Sequence, residues 1–419
     1  MSSMESINRK QLRITDLNLD CLLRILDYCS EQDCLNLCRV HRTLRNVIGQ
    51  NIFYMKTLDS LMCGHRNYPR ISQRTYNSLS YATRLSIARN WLQGRYREYE
   101  YYHHAQMFPT KLLLERNLLY VTHMDYLRVY GRANNEPLQR RYQQEISSSS
   151  RGDISSFTKK RDTIFVGRVT GNCYIWEDGF ANEYQLHSAK EYLHCVDFED
   201  DLYVTSTNVC AKLWRRTNEL GLLDLEQVAE LPQEYKVLKL SEGGERLYGG
   251  LYTEADRQAL REYDVESGKE TTLNSNTLSI YDLLIKDENV LFTGNFDTTC
   301  RMYDRRSHRD EAVFEDPFDS SFYCIEYDGL YALLCGAKYH SRVNLYDIRM
   351  PNKYQQLYFP RRSKRAKHPS SPVYSIACDN RYLLIATDHN LRVFDFKQNY
   401  AECRDYRNIF SDKQRIPTL

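Results

Sequence analysis

One arrangement of hydrophobic and polar positions recurs seven times along this chain. A short apolar segment is followed by a second, a polar turn comes next, and a third segment ends on an aromatic residue. Residues 291–307, LFTGNFDTTCRMYDRRS, show it most clearly. The closing aromatics are Tyr130, Trp176, Trp214, Tyr263, Tyr303, Tyr346 and Phe394, and the six intervals between them average 44 residues. Apolar segments this short, bounded by polar turns, predict strands. The first strand of each unit is expected to begin near Lys111, Ile154, Leu193, Tyr235, Ile280, Phe322 and Val373. More polar segments between units, such as 138–146, 312–315 and 354–359, supply fourth, outer strands.

A period near 44 with three or four strands per unit is that of WD-type propeller blades. The fold class expected is therefore mixed: a helical N-terminal part, then an all-β seven-bladed propeller. The divisions read as a helical module over 1–61, a linker with a helix over 62–94, the propeller over 95–399 and a tail over 400–419. The last unit lacks an outer strand close behind it. Segment 95–102, which alternates tyrosine with charge, is expected to complete that blade and remove the open edge. The rival donor is the tail segment 400–410.

Ahead of the β pattern the period changes. Leu19, Leu22, Leu23, Leu26 and Cys29 follow helical spacing. Ser30 with Asp33 forms a capping-box signature for a second helix carrying Leu35 and Leu37. A third helix is expected to place Val40, Leu44 and Val47 on one face. Three helices in roughly 45 residues bury little by themselves, so an apolar face is left for a partner. Residues 62–75 read as a loop, and 78–92 as a helix whose stripe of Leu79, Ala82, Leu85, Ala88 and Trp91 packs on the propeller.

Composition removes function classes rather than adding them. The formal charge of +2 over 419 residues gives no field that would point to nucleic acid or membrane. The 34 tyrosines, against 3 tryptophans, are read as propeller architecture. The 13 cysteines are scattered, the opening MSSMESINRK has no secretory apolar stretch, and no apolar run reaches membrane-helix length. The expected compartment is reducing, cytoplasm or nucleus. Cys34 and Cys38 lack zinc partners, and no metal or cofactor site is expected. VESGKE lacks the glycine and hydroxyl positions of a phosphate loop, His103–His104 have no partner spacing, and Asp297 reads as a turn residue. The chain is read as a non-enzyme.

The segment LNLDCLLRILDYCSEQDCLNLCRVHRTLRNV resembles an F-box: Leu17, Leu22, Leu23, Ile25, Leu26, Asp33, Leu35, Val40 and Leu44 hold the matching positions. Asn18 stands where the family usually has proline, and Leu44 and Phe53 where tryptophan is frequent. With the propeller and ARNWLQGRYRE at 88–98, the whole is similar to F-box/WD-repeat proteins of the dactylin type. The resemblance implies a substrate receptor of a Skp1–cullin–F-box ubiquitin ligase. Docking on Skp1 would rest on Leu17, Leu22, Ile25, Leu26, Val40 and Leu44, some of which serve the module's own core. The propeller would bind an acidic or phosphorylated protein segment through Arg342, Arg361, Arg362 and Arg365, with Arg151 across the face. The plainer reading of the basic loop 361–368 is a solvated loop or an import signal. The second class kept open is a WD scaffold for a complex unrelated to ubiquitin.

Overall fold

The computed structural model describes residues 13–64, 69–103, 109–134, 136–219, 222–253, 255–361 and 371–398. Seven four-stranded antiparallel sheets form the seven blades. Their inner strands start at Leu112, Ile154, Leu193, Tyr235, Ile280, Phe322 and Val373, where the apolar pattern places them. Outer strands include Arg309–Glu315 and Tyr354–Tyr358. In the first blade the outer strand is only Gln144–Ile146, because the chain before it leaves the ladder after a single bridge between Leu138 and Arg132. The seventh blade is completed from the other end of the chain: Arg97–His103 pairs antiparallel with Asn390–Asp395. Closure therefore comes from the N-terminal strand among the described residues.

Strand alternation sorts the turns onto two faces. Loops that lead into inner strands, and turns between second and third strands, share the upper face. Turns between first and second, and between third and fourth strands, share the lower face. Blades are held together near the axis by polar links from one inner strand to the next. Ser156 accepts the N–H of Val196, Asp197 that of Leu240, Asp282 that of Ile325 and Ser375 that of Leu112, at 2.8–3.2 Å. Packing between blades is close enough to need glycine: a Cβ at Gly250 would lie 2.6 Å from the Ile280 Cβ.

The helical part folds beneath the lower face. Helices α1 (Leu19–Asp27), α2 (Glu31–Val40), α3 (Arg42–Val47) and α4 (Tyr54–Asp59) are followed by α5 (Pro69–Arg74) and α6 (Tyr81–Leu92), with a π-helical turn at Ile48–Phe53. The capping box at α2 is made in both directions: Ser30 N–H to Asp33 Oδ2 at 3.1 Å, and Asp33 N–H to Ser30 Oγ at 3.2 Å. Val40 ends α2 rather than joining the third helix, because His41 takes an extended conformation between the two. α5 lies inside the stretch read as a loop. Its Arg70 and Arg74 both reach Glu326 at 2.9 Å, a contact no local pattern reveals. Leu22, Leu26, Cys34, Leu44, Ile48 and Phe53 form one core with Leu85 and Ala88 of α6.

The opposite side of α6 belongs to the propeller. Trp91 is fully buried, stacks on Phe396 at 3.7 Å and donates Nε1–H to the Asn380 carbonyl at 2.9 Å. Asn90 donates to the Phe396 carbonyl at 2.7 Å, and Tyr358 to the Trp91 carbonyl at 2.8 Å. Asn380 also donates to the Met62 carbonyl at 2.9 Å. α6 thus has two apolar sides, one in each part, and it ties the module to blades six and seven.

Candidate functional site: a docking end and a recognition face

At the docking end the structure divides the six residues chosen from the sequence. Leu22, Leu26 and Leu44 are almost completely buried within the module and build its core. Leu17, Ile25 and Val40 are 37, 42 and 76% exposed. Leu19, Tyr28 and Met55 add to this exposed apolar surface. An apolar surface spread over so small a module is what a protein partner would cover. Asn18 keeps the start of α1 in order without proline: its side-chain oxygen accepts the Cys21 N–H at 2.9 Å, satisfying one of the helix's orphan donors.

On the upper face the arginines are mostly spent. Arg342 sits at the expected turn, but its side chain is fully buried and paired with Asp316, which also accepts from Asn344 at 2.8 Å. It is an internal ion pair, not a free cation, because burial demands that its charge be matched within the protein. Arg361 remains exposed and its backbone N–H is fixed to Glu98 at 2.7 Å. Arg151 is exposed and pairs with Asp125 at 2.9 Å, with a second bond to the Tyr126 hydroxyl at 3.0 Å. Arg362 and Arg365 lie outside the described residues.

What the sequence reading missed lies nearer the axis. In six blades the ladder between the first two strands slips by one residue just after its start. A β-bulge leaves the extra residue unpaired and turns its side chain. The extra residues are Ser155, His194, Lys236, Tyr281, Tyr323 and Tyr374. They converge on the mouth of the propeller channel. Tyr281 and Tyr323 are 4.7 Å apart between ring centres, and Tyr323 and Tyr374 are 6.1 Å apart. Turn and loop residues extend the ring: Tyr252 lies 6.1 Å from His194 and 6.2 Å from Tyr281, and Phe296 lies 6.1 Å from Tyr281. The detectable signal was a column: the second position of successive inner strands is repeatedly aromatic or basic.

Lysines sit among these rings. Lys236 lies 5.4 Å from the Tyr252 ring centre, and Lys338 5.8 Å from that of Phe296. Lys236 donates to His194 Nδ1 at 3.2 Å, and His194 Nε2 donates to Glu234 at 3.1 Å, which fixes the neutral imidazole tautomer. Burial, with Lys111 beside it, brings the Lys236 ammonium down to about 8. Neither Lys236 nor Lys338 makes an ion pair among the described residues. Asp282, at the inner strand of blade five, is used by the propeller itself: it accepts the N–H groups of Leu283 and Ile325 at 3.0 and 2.8 Å.

In blade three His187, Glu191 and Cys210 bring their ligand atoms within 4.8 Å of one another. The group reads as a hydrogen-bonded chain instead of a metal centre. Trp214 Nε1–H donates to Thr205 Oγ1 at 2.9 Å, and that hydroxyl meets His187 Nε2 at 2.7 Å. His187 Nδ1 faces Glu191 at 3.1 Å. Since the Glu191 carboxylate can only accept, the neutral His187 carries its proton on Nδ1, and the Thr205 hydroxyl donates to Nε2. Both ring nitrogens are thereby occupied. Asp297 holds Thr299 at 2.7 Å and Arg301 at 2.9 Å, a structural turn role.

Comparison with known proteins agrees with this architecture. The F-box domain family matches residues 14–56. Two curated proteins match nearly the whole chain. F-box/WD repeat-containing protein 4 of Mus musculus is 25% identical over 391 residues, 90% of this chain and 92% of that protein. The protein of the same name from Homo sapiens is 24% identical over 389 residues, 90% and 91% of the two chains. Among solved structures, the computationally designed Ika8 protein superposes with a TM-score of 0.51 at 12% identity, covering 71% of this chain and 98% of that one, a likeness of fold alone. With an F-box match followed by a seven-bladed propeller, the chain is similar in its order of parts to the F-box/WD repeat-containing proteins it matches.

Proposed function

We propose that the chain is the substrate-recognition subunit of a Skp1–cullin–F-box ubiquitin ligase. The F-box docks on Skp1, the upper face of the propeller holds a protein substrate, and the transfer chemistry belongs to other subunits. The observation that carries this reading is the disposition of the two surfaces. Exposed Leu17, Ile25 and Val40 lie on a module fixed beneath the propeller, while the aromatic and basic mouth opens on the face opposite. A rigid tie between them, centred on Trp91, would hold a substrate at a set distance from the ligase core, which is what a positioning subunit requires.

The test separates docking from folding. Changing exposed residues, Ile25→Asp with Val40→Asp, should abolish co-purification of Skp1 and leave the helical circular dichroism intact. Leu22→Ala with Leu26→Ala should also lose Skp1, but through the module core, at about 2–5 kcal/mol per leucine. Skp1 binding that survives deletion of residues 13–59 rules the reading out. Loss of Skp1 only in the variant that also loses helix would return the chain to the scaffold class.

A further inference from the structure

We propose that the channel mouth is an anchor site for a short acidic peptide segment bearing one aromatic side chain, and that phosphate is not required. The inference rests on the receptor reading above and names the class of substrate segment. It is carried by three observations taken together. The mouth is walled by rings: Tyr252, Tyr281, Tyr323, Tyr374 and Phe296 touch in series across blades four to seven at 4.7–6.2 Å. Such rings offer faces and edges to a further aromatic at the same spacing. Tyr252 and Phe296 are also exposed, large apolar groups on that face.

The second observation is charge. Lys236 and Lys338 stand over these rings and make no salt bridge among the described residues; the carboxylate that acts on Lys236, Glu234, is bonded to His194 instead. Of the acids close by, Asp282 is engaged with two backbone N–H groups and Glu234 with His194, while Asp388, beside Tyr374, faces His389 at 4.0 Å. Anionic side chains flanking an aromatic would supply what the lysines lack. A cationic or methylated-lysine ligand, the other guest of an aromatic cage, is disfavoured by the same two ammonium groups.

The third observation sets this site apart from a phosphate clasp. Bidentate recognition of a phosphate needs a guanidinium fork, and lysine is a point charge. No arginine contacts the described rings of the mouth, and Arg342, placed beside it by the chain, is consumed by Asp316. Rings plus point charges select an aromatic residue with carboxylates near it.

The experiment pans a random octapeptide display library, which carries no phosphate, against the purified full-length chain in complex with Skp1. Counter-selection uses Lys236→Glu with Lys338→Glu. Expected is enrichment of peptides with one Trp, Tyr or Phe flanked by Asp or Glu. The consensus peptide, synthesised with fluorescein, should lose at least ten-fold in affinity against the lysine variant and against Tyr281→Ala with Tyr323→Ala. Thermal melting checks both variants. Should the tyrosine variant fail to fold, Phe296→Ser, at an exposed side chain, must weaken binding in its place. Enrichment of basic or aromatic-free sequences overturns the proposal, as does no enrichment above counter-selection. A phosphoserine peptide lacking an aromatic that outcompetes the consensus overturns it too. These failures leave Skp1 binding untouched. If instead the full-length chain alone binds the peptide and Skp1 does not bind, the ligase reading falls and the mouth assignment stands.

Discussion

Trp91→Ala tests whether the module and the propeller are one cooperative unit. The indole is fully buried in a cluster that contains Ile87 of α6 together with Leu345, Tyr358, Phe394 and Phe396 of the propeller. Replacing a buried tryptophan by alanine costs about 3–5 kcal/mol. That range includes the lost stack on Phe396 and the Asn380 carbonyl left without its donor. For the roughly 390 residues from Arg13 to Gln398, the unfolding entropy at about 2.1 cal/mol/K per residue is near 0.8 kcal/mol/K. The midpoint should therefore fall by about 4–6 °C. Differential scanning calorimetry of the full chain should show one transition, shifted as a whole. Trp91→Phe, which keeps the stack and loses only the N–H, should shift it by less than half as much. A propeller transition that stays in place while a second, smaller one appears earlier would refute the reasoning. It would mean that α6 rests on the propeller without holding it.

Arg342→Ala leaves Asp316 buried without its counter-charge and should cost about 3–5 kcal/mol in urea unfolding, whereas Arg342→Met with Asp316→Asn should recover at least half of that. A loss of peptide binding with unchanged stability would contradict the assignment of Arg342 to the core. His187 is held down to about 4, first by burial and then by Lys212, with Glu191 pulling the other way. A histidine depressed from about 6.5 is neutral in the fold and binds its proton more readily in the unfolded chain. Its contribution is complete above about pH 6.5 and is lost as pH falls toward 4, about 3 kcal/mol in all. His187→Asn should flatten that part of the stability profile, and an unchanged slope would show that the proton goes elsewhere.

Much of the architecture was legible because its causes are local. The start of each inner strand follows from apolar runs bounded by polar turns, and Ser30 with Asp33 announces α2 three residues apart. The closing strand was legible for a different reason: the last unit lacked a member, and an alternating segment stood spare. What stayed hidden depends on partners far along the chain. α5 is held by Glu326, some 250 residues away, so 62–75 read as a loop. Arg342 looked like a surface cation because Asp316 lies 26 positions before it. The tyrosines were assigned to architecture by their number. Their convergence appears only when equivalent positions of successive units are read as a column, since a bulge at one strand position repeats in six blades.

The pairing of Arg97–His103 with Asn390–Asp395 sets an order of events during synthesis. His103 leaves the ribosome before its partner Asn390 by roughly 290 residues, which at about 5–20 residues per second is about 15–60 s. Through that interval the first strand has no ladder to join, and the growing row of blades ends in unpaired backbone at both sides. The helices are complete early, but Trp91 has no pocket until Phe396 is made. The ribosome-bound chain is thus most exposed to misassociation at the end of translation. A message truncated anywhere before the seventh blade would yield a product open at both ends, carrying a finished helical module and no finished platform. Under the proposed function, such a fragment would compete with the whole chain for Skp1 while presenting no substrate.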